Sequence, residues 1–334
     1  MRQKGSGQPA FLIDTDAGID DILAIIQLVR NGINLVGITV VATGLCPPGA
    51  AGLNLLRLML YLKDMTTRIA VGKDKAFGEV QHKFPVTVRS SIAQMFNGEP
   101  FDTLLPIPTA ADQQRLSSNP VALMNNSVKQ HGPLTILALG PLTNIASFIS
   151  KHPECTGHIR IVSMGGVFSV PGNIKDFEPD NAIQAEWNYY ADPGAVAFLF
   201  KAMPSRILIV PLDATLQVPF TEEFYNRIKN APNDDMRLIF ACFRPIINEF
   251  GLPAFLEGFC LWDPAAAMIA IRSISYAVQS ERCVIEPTTS QLIKHPSGVP
   301  LFYVGKLDGE TARDRFIAAL NPEPPPRIKM LSAL

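Results

Sequence analysis

Residues 10–24 read AFLIDTDAGIDDILA, and four aspartates, Asp14, Asp16, Asp20 and Asp21, fall within eight positions of one another. An apolar strand-like run precedes them and an apolar helical pattern follows, so the cluster lies at a strand-to-helix junction. Carboxylates this close repel, and burial at a strand end would push protons onto some of them. A hard cation removes that conflict, because calcium and magnesium take oxygen ligands and favour carboxylates. A solvated turn accounts for Asp20 and Asp21, which suit the positive end of a helix dipole, but leaves Asp14 and Asp16 without a role. The chemistry expected here is cation binding through oxygen.

In parallel α/β sheets, ligands gather beyond the carboxyl ends of the strands. Apart from the aspartate cluster, the segments expected there are TGLCPPG (residues 43–49), ALGPLTN (138–144), MGGVF (164–168) and PLD (211–213). Further polar candidates are Gly172 with Asn173, AEWN (185–188) and Asp263 in LWDPAAA. Each also has an ordinary structural reading. Asp263 before Pro264 suits an N-cap with proline at the first helical position, and Glu186 and Asn188 suit a solvated loop. The five cysteines are scattered and odd in number, which fits neither a disulfide framework nor a zinc site. No HExxH-like pair occurs among the five histidines, so any metal should be held by oxygen.

The elements that must position these residues alternate. Helix 22–30, strand 35–42, helix 51–62 and strand 68–71 follow the first strand, then a long excursion over 72–119 with weak periodicity. Alternation resumes with helices over 121–130, 142–150 and 193–202 and strands over 134–139, 159–164 and 206–210. Beyond residue 222 the pattern is mostly helical to 272, with short strands at 283–286 and 300–304, a last helix at 311–320, and prolines from 322 to 326 closing the fold. This order predicts an α/β architecture: a single large domain over 1–334 with a mostly parallel central sheet, helices on both faces and a Rossmann-like core.

Composition narrows the partners. The chain has 334 residues, 47% hydrophobic, with a net charge of −1, enough for a large core and without the basic excess of a nucleic-acid binder. Its apolar runs are too short to span a bilayer, and the basic N-terminal start lacks an apolar signal region. The expectation is a cytoplasmic protein acting on a small molecule.

Taken in order, the landmarks resemble the inosine/uridine-preferring nucleoside hydrolases. That family's signature DxDPGxDD is matched by DTDAGIDD at 14–21, and its later elements by LALGPLTNIA, MGGV, GN, AEWNYYADPGAV, PLDAT and WDP, from about Phe11 to beyond Ala267. The resemblance implies Ca2+ held by Asp16, Asp21, Asp263 and the Leu139 carbonyl. It places Asp20 and Asn188 on the ribose 2′ and 3′ hydroxyls, Glu186 and Asn173 on the 5′ hydroxyl, and Asp14 behind the metal ligands. It further implies a ribonucleoside substrate, a homodimer or homotetramer, and hydrolysis of the N-glycosidic bond with Asp16 taking a proton from water. The chemistry is coherent, since an oxocarbenium-like transition state needs negative charge, fixed hydroxyls and an activated water.

Three departures stand out. Ala17 replaces the signature proline, which implies a softer loop, and Gly44 replaces the asparagine of the family's VAGN. Trp262 stands where many relatives carry a histidine, and it cannot deliver a proton as an acid at neutral pH. With Phe255 or Phe259 nearby, Trp262 is expected to stack on the base, favouring purine nucleosides or good leaving groups over uridine. Two other readings compete: a phosphohydrolase using an N-terminal DxD, which leaves AEWN and WDP unexplained, and a ribose- or nucleoside-binding protein without catalysis.

Overall fold

In the computed structural model, which describes residues 9–174 and 183–321, ten strands join one sheet. They are β1 (Ala10–Thr15), β2 (Asn34–Val40), β3 (Ile69–Val71), β4 (Leu116–Ser117), β5 (Leu134–Ala138), β6 (Ile159–Met164), β7 (Ile207–Val210), β8 (Tyr276–Ile285), β9 (Leu292–Lys294) and β10 (Val299–Leu307). Their spatial order is β4-β3-β2-β1-β5-β6-β7-β10-β8-β9, parallel except where β8 runs antiparallel to both β10 and β9. From β1 the chain builds outward to β4, then returns to place β5 on the free side of β1. That reversal opens a crevice at the carboxyl end of β1, the usual ligand position in such sheets.

Alternation along the strands sends side chains into two cores. Ile13, Leu137, Val162 and Val210 face the larger core, with helices Ile19–Arg30, Pro48–Tyr61 and Trp262–Ala270. On the other face Leu12, Ile136, Ile161 and Ile209 meet helices Pro120–His131, Thr143–Lys151 and Pro193–Ala202. Coverage of both faces explains why the central strands read as continuous β-branched and aliphatic runs.

Two stretches differ from the sequence expectation. β8 is ten residues long instead of four, and β9 was not anticipated. Most of β8 is exposed and its middle reads QSER, so no apolar run or clean alternation announces it. The excursion over 72–119 carries short helices at Val86–Ala93, Phe101–Leu104 and Ala110–Gln113, and ends in the edge strand β4. The prolines from 322 to 326 lie outside the described residues.

Candidate active site

At the end of β1 the aspartates divide by their surroundings. Asp14 is fully buried, and its Oδ1 accepts from Thr39 Oγ1 at 2.6 Å and Asn144 Nδ2 at 2.8 Å. Asp16, also buried, accepts from the Leu45 N–H at 2.9 Å through Oδ2, while its Oδ1 has no hydrogen-bond partner. The helix from Ile19 starts three residues earlier than its apolar pattern indicates and carries Asp20 and Asp21 in its first turn. Asp21 accepts from the Thr15 hydroxyl and, at 3.0 Å, from the Gly18 N–H.

Asp263 reaches the same place from the far end of the chain. It lies in the first turn of Trp262–Ala270 and caps nothing; both of its oxygens are buried without a partner. Oxygens of Asp20, Asp21 and Asp263 lie within 4.8 Å of one another, and the charge of Asp21 bears directly on Asp16. Orphaned buried carboxylate oxygens are costly, and a hard divalent cation is the ligand this donor set fits.

The electrostatics point the same way. Burial first, then neighbouring charge, raises Asp16 and Asp263 well above the usual carboxylate range. Asp20, the one part-exposed member, is pushed to about 8 by desolvation and by Asp21. Asp14 rises to about 7, chiefly through burial. No lysine, arginine or histidine is among the described residues lining the pocket.

That pocket has a volume of about 220 Å³, and Asp16, Asp20, Asp21, Leu139, Asn173, Glu186, Asn188, Trp262 and Asp263 all line it. Glu186 and Asn188 are buried, against the solvated-loop reading. The Glu186 carboxylate caps helix Trp187–Ala191, accepting from the N–H groups of Gly166 at 2.9 Å, Asn188 at 2.9 Å and Tyr189 at 3.3 Å. Burial moves it to about 7 despite those donors. Asn188 Nδ2 donates to the Leu139 carbonyl at 3.1 Å and the Met164 carbonyl at 3.2 Å. The Leu139 oxygen is therefore engaged, although a carbonyl keeps a second lone pair. Asn173 Oδ1 accepts from the Trp187 N–H at 3.0 Å.

A sequence model of the inosine-uridine preferring nucleoside hydrolases matches residues 11–316. The chain belongs to that family. It is 30% identical over 303 residues to an uncharacterized Schizosaccharomyces pombe protein, covering 89% of this chain and 91% of that one. A probable uridine nucleosidase 1 of Oryza sativa subsp. japonica is 30% identical over 66% of this chain and 64% of its own length. The pyrimidine-specific ribonucleoside hydrolase RihA of Shewanella sp. (strain MR-4) is 32% identical over 67% and 65%. This chain thus spans just under two thirds of the latter two. The fold matches the Bacillus anthracis inosine-uridine preferring nucleoside hydrolase with a TM-score of 0.75 at 20% identity, over 94% of this chain and 99% of that one. It matches a plant nucleoside hydrolase at 0.76 and 22%, over the same shares.

As a nucleoside hydrolase, this enzyme completes its pocket with an apolar lining that the motifs supply only in part. Leu45, Phe84, Pro85, Val88, Met164 and Trp187 supply it, three of them from the excursion over 72–119. Phe84 stacks on Trp187 at 4.3 Å. The excursion is tied down at buried Asp192, which accepts from the Phe77 N–H at 2.7 Å and Thr143 Oγ1 at 2.6 Å. Only the loop's length signals this in sequence. Trp262 lines the pocket and packs edge-on against Phe259 at 4.9 Å, with its Nε1 buried and unpartnered; Phe255 and Phe259 stand behind it, outside the lining.

Two departures from the family signature are more than changes of stiffness. Ala17 adopts φ 58°, which proline, fixed near −65°, cannot reach. A Cβ at Gly44 would stand 2.3 Å from both Cβ and Oδ2 of Asp16, so no asparagine fits this backbone.

Proposed function

We propose that this nucleoside hydrolase binds one calcium ion through Asp16, Asp21, Asp263 and the Leu139 carbonyl and uses Asp16 as its general base. The observation that carries the reading is the set of buried, unpartnered oxygens, Asp16 Oδ1 and both of Asp263, on a pocket otherwise lined by apolar and aromatic side chains. Calcium, when bound, supplies positive charge that keeps the cluster ionised and makes water more acidic. Asp16 Oδ1 takes the proton from the attacking water as the water oxygen bonds to the anomeric carbon and the C–N bond breaks, the base leaving with the bonding electron pair and taking a proton from solvent. Asp20 and Asn188 hold the ribose 2′ and 3′ hydroxyls. Asn173 and Glu186 meet the 5′ hydroxyl, and with its pKa near 7 Glu186 has a protonated fraction that can donate. Carboxylates on one side of the sugar favour the cationic character of the transition state.

Trp262 and the Phe84–Trp187 stack support a flat base held by its faces. None of these rings is a proton donor at neutral pH, so the reading favours purine nucleosides, or substrates whose base leaves readily, over uridine. Two of the relatives above are named for uridine or pyrimidine cleavage, which makes uridine the deciding comparison. Free ribose should be measured from inosine, guanosine, adenosine, uridine and cytidine, with added calcium and with a chelator. Release that requires calcium and is fastest with a purine supports the reading. Chelator-resistant turnover sinks the metal assignment, faster uridine cleavage sinks the base preference, and binding without release indicates a nucleoside-binding protein. The homodimer or homotetramer that the resemblance implies is tested by light scattering.

A further inference from the structure

Asp16 is held by a backbone contact from the TGLCPPG loop. Three features meet on it. The backbone at Gly44 lies so close that a Cβ there would overlap the carboxylate, at 2.3 Å from Oδ2 and 2.7 Å from Cγ. Because nothing projects from that position, the next residue reaches in, and the Leu45 N–H donates to Oδ2 at 2.9 Å while the Cys46 N–H donates to the Asp16 carbonyl at 3.0 Å. Gly140 also presses on Asp16, though less closely, since a Cβ there would stand 2.9 Å from Asp16 Cβ and 3.0 Å from its nitrogen. The left-handed turn at Ala17, whose N–H donates to Thr15 Oγ1 at 3.0 Å, carries the chain out of this clamp.

The consequence is an asymmetric carboxylate. One oxygen is occupied by a backbone donor, and the other, Oδ1, is buried with no partner. A carboxylate free to rotate would offer either oxygen and lose orientation; here a single donor removes the choice.

We propose that Gly44 is a positioning residue for Asp16. By carrying no side chain it seats the Leu45 N–H on Oδ2 and so dedicates Oδ1 to proton acceptance and cation contact. This rests on the assignment of Asp16 as the general base, and the test separates the two. Gly49, in the first turn of the helix that follows this loop, has open space where its Cβ would stand and provides the control.

Amide hydrogen exchange on the metal-free protein comes first. The Leu45 amide should exchange at least tenfold more slowly in the wild type than in Asp16→Ala or Gly44→Ala. A Leu45 amide that exchanges like a free one in the wild type overturns the proposal, whatever the activity. Kinetics follow. Gly44→Ala, and Leu45→Pro, which deletes the N–H, should each lower kcat at least tenfold and weaken calcium binding by calorimetry, with KM changed less than threefold and thermal unfolding preserved. Gly49→Ala should keep wild-type values in every measurement. Gly44→Ala and Leu45→Pro with kcat and calcium affinity within twofold of wild type would refute the clamp. A wild type that releases no ribose refutes the base assignment instead, and the exchange data still decide the contact.

Discussion

The acidic wall of the pocket and the aromatic wall are held in place by different means. Asp16, Asp21 and Asp263 stand at the centre of the sheet, at the end of β1 and at the start of a helix packed against β5 and β6. Phe84, Pro85 and Val88 belong to the excursion over 72–119, which sinks Ile92, Met95, Phe96, Phe101 and Leu105 into the larger core further along but is held near the pocket by hydrogen bonds, chiefly at Asp192 and at buried Arg89 on the Ala42 carbonyl. The first wall suits chemistry that tolerates no misplacement. The second suits recognition, which can be retuned by altering one loop.

If the walls are separable, damage to each should have its own signature. The largest effect is expected from Asp263→Ala or Asp21→Ala, which should abolish calcium binding in calorimetry and ribose release together. Retained calcium with lost activity would detach the cluster from the metal. Next, Asp16→Asn should lower kcat by roughly a hundredfold or more with KM changed only severalfold. A collapse of nucleoside binding with preserved kcat would make the role positional. Asn188→Ala should cost roughly tenfold in kcat/KM, equally for every base, since losing one buried hydrogen bond costs about 1 kcal/mol or more. Unequal losses between inosine and cytidine would put Asn188 on the base.

A smaller effect should mark the other wall. Asp192→Asn removes the charge that anchors Phe77 and Thr143, so KM should rise severalfold and differently for purines and pyrimidines while calcium affinity stays the same. A fall in calcium affinity would show that the walls are one unit.

The smallest effect concerns pH. Folding raises the carboxyls of Asp14 to about 7 and Asp20 to about 8, from the 3.8 of an exposed aspartate. Between those limits the native metal-free state binds more protons than the unfolded one, so stability is greatest at the acid end and falls as pH rises. With EDTA, Tm should therefore drop from pH 5 to pH 8, and calcium should restore it most at pH 8. A metal-free Tm that rises over this range would contradict the burial of uncompensated carboxylates.

The two walls also differ in what the sequence discloses. Asp14, Asp16, Asp20 and Asp21 are local, so their spacing alone announces a shared site at a strand end. Asp263 and Asn188 stand out in sequence as polar residues beyond strand ends, given roles only by the family resemblance, and the structure brings both to the same pocket. Phe84 and Trp187 lie about a hundred residues apart and meet where Asp192, the Ala191 carbonyl and the Tyr190 ring hold residues 77–82, contacts that no periodicity encodes. β8 escaped for another reason, since a strand with most of its residues in solvent carries no apolar code. The overlap at Gly44 is invisible in sequence because it depends on how two loops approach across the sheet.

The left-handed turn at Ala17 restricts which residues this loop admits. A left-handed alanine carries a strain of roughly 1 kcal/mol, and glycine would adopt φ 58° without it, whereas proline is barred from it. Asparagine at 44 is barred by the present seat of Asp16. The proline of the family signature and the asparagine of its VAGN are therefore both incompatible with the aspartate as it is seated here. Restoring either residue alone is blocked. One residue is excluded by its dihedral angle and the other by overlap, so the loop holds two separate locks on the seat of a single aspartate.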